Sequence, residues 1–382
     1  MENPFVYGEV VPDAAFVDRE EELQRLAADL AAGQKVFLIS PRRYGKSSLM
    51  RRTLAGLRRQ RLLTAALTVS SFSSYVAFLE GYVQALAEAD RAGTGLRAWL
   101  RGFLPGTAPE VRIAEGRGRP AARLSVAFPA VRHARDVARL AEEVFAPPGR
   151  LAEARGRRVV VALDEFQDVA GFDGGSVEQA LRAAAQHQRQ VGYVFAGSEP
   201  SLMERMIGPR RPFYKAGPVM RLGRIPGDVF AAFVERGFRA TALRPEPGIG
   251  GAVVELAGNL PYDVQRLAHE TWDDARAAGR RTVTLDDLHG TLRRLLAEHH
   301  VFFEHVWQRL TLAQRGVLRA VVLSEGREML AADTRERHRL AGASSVQAAL
   351  AALVRAEVIA RDGGRYHVVD SLMREWVARQ TF

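Results

Sequence analysis

"SPRRYGKSSL", residues 40–49, is the stretch on which the reading of the whole chain turns. It ends as a phosphate-binding loop ends: Pro41, Arg42, Arg43 and Tyr44 lead into Gly45, Lys46, Ser47 and Ser48. Ser40 stands where the opening glycine of such a loop belongs, and this is tolerable if its backbone angle is ordinary. The flanks supply the context. "KVFLIS" (35–40) is a short apolar, β-rich run, and "KSSLMRRTLAGLRRQ" (46–60) carries Leu49, Met50, Leu54 and Leu57 at helical spacing. A buried strand, a tight turn and a helix N-terminus together make an anion site, because the turn's amides and the helix dipole both favour negative charge. Residues 41–48 would then cradle phosphates, with Lys46 reaching the β and γ groups and Ser47 holding Mg²⁺.

A second stretch completes the site. "RRVVVALDEFQDV" (157–169) is a basic lead, an apolar strand and an Asp-Glu pair at the strand's end. Asp164 is placed to hold Mg²⁺ through water, and Glu165 to orient and activate an attacking water. A strand ending in a solvated acidic turn would read the same way taken alone. In this order, after the loop, the pair points to a nucleotide site, and the adjacent acid favours hydrolysis over transfer to a second substrate.

Composition bounds the rest. The chain has 382 residues and no cysteine, so disulfides, thiolate metal sites and a thiol nucleophile are excluded. No apolar run is long enough to span a bilayer, and "MENPFVYGEV" lacks a signal pattern. A cytoplasmic protein without a membrane partner is the expectation. The formal charge is +10, and lysine stands only at 35, 46 and 215, so nearly all basic residues are arginine. A nucleic-acid partner and a bias towards arginine both account for this. In a chain that has almost abandoned lysine, Lys46 occupies the one place where a phosphate loop needs a compact ammonium.

With these residues in hand, the sequence resembles the AAA+-related ATPases of the "archaeal ATPase" family, close to the STAND group and to replication-initiator-like ATPases. The resemblance rests on "FVDREEEL" (16–23), "SPRRYGKSSL", "VVVALDEFQD" (159–168), "YVFAGSEPSLMERM" (193–206) and "GNLPYDVQRLA" (258–268). The tail "YHVVDSLMREWV" (366–377) adds to it. It implies ATP and Mg²⁺ as ligands. It implies Val17 and Arg19 beside the adenine, Ser198 as the polar sensor near the γ-phosphate, and Pro261 closing over the base from a helical lid. Arg266 would touch phosphate as a second sensor. The basic loop 208–226 offers Arg210, Arg211 and Lys215 as residues that touch nucleotide, across a subunit interface if the chain forms a homo-oligomer; Arg211 is the catalytic candidate among them.

The fold class expected is α/β: an AAA+-like P-loop parallel sheet flanked by helices, then a helical lid and a winged helix. The boundaries are 1–225 for the ATPase domain, 226–300 for the lid and 301–382 for the winged helix. Strand "VGYVFAG" (191–197) reads as the last one of the core sheet, and 111–129 as two short strands about a basic turn with Arg112, Arg117, Arg119 and Arg123. Thr284 and Asp287 form a cap signal in the lid. In the last domain, Ser344 or Ser345 would cap the third helix, and Asp-Gly-Gly (362–364) would turn the wing. That third helix is alanine-rich and poor in base readers, which favours protein docking over sequence-specific DNA contact. His299 and His300 are adjacent and form no metal pair.

Two functions remain open. One is an ATP-hydrolysing machine acting on DNA or a partner protein. The other is a STAND-type signalling switch, in which ATP against ADP, with slow turnover, exposes the winged helix. A winged-helix regulator with a structural nucleotide site ranks below both.

Overall fold

The computed structural model describes residues 2–8, 11–12, 15–90, 96–104, 109–114, 123–128, 134–172, 176–362 and 364–380. They fall into two compact units, Arg19–Gly223 and a C-terminal unit made of Arg224–Phe382 together with Met1–Asp18.

The N-terminal unit is built on strands β1 (Lys35–Ile39), β2 (Leu63–Thr68), β3 (Glu110–Ala114), β4 (Arg123–Ala127), β5 (Val159–Asp164), β6 (Val191–Gly197) and β7 (Val219–Arg221). Five of them form one parallel sheet in the order β2-β5-β6-β1-β7. Every residue of β5 and β6 is buried, as a central parallel strand covered on both faces requires. Helices Glu20–Ala31, Lys46–Arg59, Tyr75–Ala89 and Ser176–His187 cover the sheet. Within that core Phe37 and Phe195 stack at 5.1 Å, and Phe213 meets both. The sheet extends one strand beyond the expected last one: β7 lies inside the stretch read as a loop and pairs with β1. Three residues, only one of them buried, carry too little pattern to be seen in sequence.

Strands β3 and β4 pair antiparallel, Glu110 opposite Ala127, as the two-strand reading of 111–129 expects. Arg117 and Arg119 lie outside the described residues.

Lys35 has a structural place. Its ammonium donates to the carbonyls of Gly33, Gln188 and Val191 at 2.7, 3.0 and 3.3 Å. Three divergent bonds from one point suit an ammonium and not a planar guanidinium.

In the C-terminal unit, helices Gly227–Ala240, Ile249–Leu256, Pro261–Ala277 and Leu285–Gln308 make the lid-like part. Helices Leu312–Leu323, Ala332–Arg337 and Ala343–Arg355 follow, then the antiparallel pair Ile359–Asp362 and Arg365–Val368 and the helix Ser371–Arg379. All but the short helix Ala332–Arg337 contribute to one apolar core. Thr284 and Asp287 form a complete capping box. Ser344 and Ser345 do not cap: the helix starts at Ala343, after Gly342, so both serines sit inside the first turn. Gly363, in the wing turn, lies outside the described residues.

Residues before Asp18, placed by sequence with the ATPase domain, pack instead on the C-terminal unit. Phe5 is fully buried there, edge-on to Phe238 at 5.0 Å. The Asn3 amide donates to the His269 carbonyl, the Val6 amide to Gln265 Oε1, and the Tyr7 hydroxyl to Glu270. Burial and that carboxylate push the Tyr7 hydroxyl up to about 12.

Candidate nucleotide site

The site lies at the C-terminal edge of the sheet, where parallel α/β folds bind their ligands. Ile39, the last residue of β1, pairs with Gly197, the last of β6, and Leu163 pairs with Phe195, so the loops that follow β1, β6 and β5 start side by side. Those loops carry Lys46, Ser198 and Glu165.

The phosphate loop turns as its sequence suggests. Ser40 is fully buried and has an ordinary negative φ, so the missing glycine leaves no strain. Arg43 and Gly45 take the left-handed conformation, with φ 70° and 88°. A Cβ on Gly45 would meet nothing within 4 Å, so glycine is needed there for its backbone angle and not for space. Gly45 caps the helix Lys46–Arg59. Tyr44 is buried; Arg42 and Ser47 are exposed, and Pro41, Arg43 and Ser48 half-buried.

Lys46 is 5% exposed. Its ammonium is bonded to Asp164 Oδ1 and lies 3.0 Å from Glu165 Oε1. Ser47 Oγ donates to the other Asp164 oxygen, at 3.1 Å. Ser198 Oγ donates to Glu165 Oε2 at 2.6 Å. The candidates Lys46, Ser47, Asp164, Glu165 and Ser198 are thus brought into one hydrogen-bonded cluster. Burial pulls the Glu165 carboxyl upward. Hydrogen bonds from Gln167, Ser198 and Lys46 and the Lys46 charge outweigh it, and the group sits below its ordinary range. Asp168 moves the opposite way, raised by burial and the Glu165 charge against the opposing pull of Arg42 and Lys46.

A hydroxyl and a carboxylate oxygen side by side are a hard-oxygen pair, which suits Mg²⁺ held partly by substrate phosphates and water. Ser47 and Asp164 fit that role. Among the described residues no three His, Asp or Glu side chains gather into a metal cluster.

The other candidates have partners of their own. Val17 is buried in the apolar core of the C-terminal unit. Arg19 begins the N-terminal unit, buried and left-handed at φ 78°, with its guanidinium on Glu22 and the Gly223 carbonyl. Pro261 is the first residue of its helix. Arg266 Nη2 lies 2.8 Å from His299 Nε2, and His299 Nδ1 lies 2.9 Å from the Leu295 carbonyl oxygen. Arg211 pairs with the buried Glu178 at 3.3 Å; burial raises that carboxyl although Arg211 pulls it down. Arg210 and Lys215 are left-handed turn residues, Lys215 resting on the Tyr214 ring. A cavity of about 790 Å³ in the C-terminal unit, lined by Gly258, Leu260, His367 and Arg374 among others, contains none of the clustered residues.

Sequence reading passed over Gln167. It donates to Glu165 Oε2 at 2.7 Å. The quoted "DEFQD" contained it, but only the kink at Glu165, φ 52°, turns it back onto its neighbour.

Several proteins of known structure share this fold. The Walker-type ATPase of Pyrococcus abyssi matches 97% of this chain and 99% of its own at TM-score 0.61 and 18% identity. The Aeropyrum pernix ORC2 protein, in ADPNP–ADP complexes, matches at 0.54 and 12%, covering 98% of this chain and 95% of its own. The Aeropyrum pernix ORC1 protein in complex with DNA matches at 0.51 and 14%, covering 96% and 94%. A family model described as "Probable winged helix domain" matches residues 301–379. Curated protein sequences give no match. The chain therefore shares the fold of the Pyrococcus abyssi Walker-type ATPase and the Aeropyrum pernix ORC proteins, and its residues 301–379 match a winged-helix model. No helix among the described residues is long and apolar enough to cross a membrane.

Proposed function

We propose that this protein binds ATP with Mg²⁺, hydrolyses it, and uses the resulting change of conformation to act on DNA or a partner protein. The observation that carries this is the cluster of Lys46, Ser47, Asp164, Glu165 and Ser198 at the ends of three neighbouring strands. The Lys46 ammonium is paired with both Asp164 and Glu165. A triphosphate would offer it stronger partners, and Ser47 and Asp164 would hold Mg²⁺, which would supply neutralisation of the phosphate charge. Glu165, released from Lys46, takes a proton from water as its oxygen bonds to the γ-phosphorus. The bond from that phosphorus to the β–γ bridging oxygen breaks, giving ADP and phosphate.

Val17 and Arg19 are proposed as adenine contacts, Pro261 as closing over the base, Arg266 as a phosphate contact, and Arg211 as a catalytic contact, in trans if the chain assembles. Of the possible nucleic-acid contacts, the winged helix and the basic hairpin with Arg112, Arg117, Arg119 and Arg123 are favoured by the +10 charge. ORC1, of the same fold, is described in complex with DNA. A cytoplasmic location is proposed with it.

Titration with ATP and Mg²⁺, followed by multiple-turnover hydrolysis with and without DNA, tests the reading. Loss of ATP affinity in Lys46→Ala, together with lost hydrolysis but retained affinity in Glu165→Gln, supports it. Wild-type protein that neither binds nor hydrolyses ATP overturns it.

The second reading, the signalling switch with slow turnover, uses the same cluster and parts from the first in its kinetics. ADP retained in stoichiometric amount on purification, with turnover unaffected by DNA, would put the switch first.

A further inference from the structure

Glu165 Oε2 accepts two hydrogen bonds, from Ser198 Oγ at 2.6 Å and Gln167 Nε2 at 2.7 Å, while Oε1 accepts only the Lys46 ammonium, at 3.0 Å. The two oxygens therefore face different fates. Lys46 is the donor that a triphosphate would recruit. Ser198 and Gln167 belong to the scaffold and keep Oε2 where it is.

Gln167 is built for this place. The left-handed kink at Glu165, φ 52° and ψ 45°, sends the chain into the short helix Phe166–Gly171. Phe166, fully buried, packs on Phe195 at 4.6 Å and Phe213 at 5.4 Å and pins that helix. The next side chain then points back at the carboxylate. Space for it comes from Gly197, where a Cβ would stand 2.7 Å from Gln167 Oε1. Gln167 is 3% exposed, and its Oε1 is buried with no hydrogen-bond partner. A buried acceptor without a partner destabilises the fold, so packing stability alone does not explain a glutamine here.

We infer that Gln167 is a positioning residue for hydrolysis: with Ser198 it grips one oxygen of Glu165, so that the other is presented to the attacking water when Lys46 turns to phosphate. This rests on the proposed ATPase reading. The charged groups facing Glu165 are Lys46 from the loop helix, Asp164 from its own strand and Asp168 from the short helix, with Arg42 acting on Asp168.

The test uses the full chain with Gln167→Met, which keeps the volume and removes the donor, and Gln167→Glu, which puts a second acid beside Glu165. ATP affinity should stay within about twofold of wild type in the methionine variant, because Gln167 does not face the loop's donors. Single-turnover hydrolysis should fall about ten- to a hundredfold, the range for losing a hydrogen bond to a charged group. The glutamate variant loses the donor as well, and its rate should fall at least as far. Thermal stability of Gln167→Met should hold or rise, since the orphan acceptor is gone. A wild-type rate in the methionine variant would overturn the inference, as would loss of ATP affinity in step with rate. These outcomes are separable from failure of the ATPase reading, in which the wild type itself would not hydrolyse ATP and Glu165→Gln would change nothing.

Discussion

Lys46→Met tests the electrostatics of the site without any ligand. The ammonium is 5% exposed and lies between Asp164 and Glu165, so its removal leaves two neighbouring carboxylates with no cation. Removing one partner of a buried pair costs about 3–5 kcal/mol. Glu165 is 24% exposed on its side chain, and water screens part of its charge, which places the loss near the low end, about 3 kcal/mol. For a unit of this size that is about 6–12 °C in the melting temperature. The sign with pH follows from Glu165. Its folded-state pKa is depressed, so its contribution to wild-type stability is full above the unfolded value, about 4.3, and is lost as pH falls through the depressed one. The variant loses the part of it that Lys46 supplies and keeps the Gln167 and Ser198 bonds. The gap between the two proteins should be full at pH 7 and narrow only as the pH falls below about 4.3. Differential scanning calorimetry in EDTA, which follows the transitions of both units, measures it. Equal melting of the two proteins at pH 7, or a gap that persists undiminished at about pH 2.5, would refute the reasoning.

Glu165→Gln should hydrolyse ATP more slowly by about 10²–10⁴-fold in a steady-state assay while its ATP affinity is kept, the range for a positioned acid or base. Phe5→Ala should destabilise the C-terminal unit by about 3–5 kcal/mol and leave the melting of the nucleotide unit in place, because Phe5 is buried only against the former; two-transition calorimetry reads it. Thr284→Ala should cost about 1 kcal/mol through loss of the capping box, whereas Ser344→Ala should stay within about 0.5 kcal/mol in urea denaturation, because Ser344 caps nothing. If DNA is the partner, an anisotropy titration should show affinity falling steeply with salt, and replacing Arg112, Arg117, Arg119 and Arg123 by glutamine should flatten the slope by about 0.9 for each phosphate that is no longer neutralised; no association at low salt, with or without ATP, would remove DNA from the proposal.

What the sequence determined by itself was local. A strand, a glycine turn and an amphipathic helix announce the phosphate loop within some twenty-five residues, because each needs only its neighbours' periodicity and backbone angles. "VVVALDE" announces a buried strand with acids at its end in the same way, and Thr284 with Asp287 announces a helix start. The scarcity of lysine was legible too, and the structure gives Lys35 as well as Lys46 a place that needs an ammonium. Tertiary structure decided what depends on partners distant in the chain. Lys46 meets Asp164 across 118 residues, and Ser198 meets Glu165 across 33, because the sheet runs β2-β5-β6-β1-β7 and sets three loop starts abreast. No spacing along the chain encodes that order. The same holds for Phe5, which finds its core with Phe238 rather than in the unit that follows it in sequence. It holds for Arg266, which the fold gives to His299. Gln167 lies between these cases: its contact is two residues away, but it forms only because Glu165 takes a left-handed angle that non-glycine residues adopt when packing on both sides, here through Phe166, compels it.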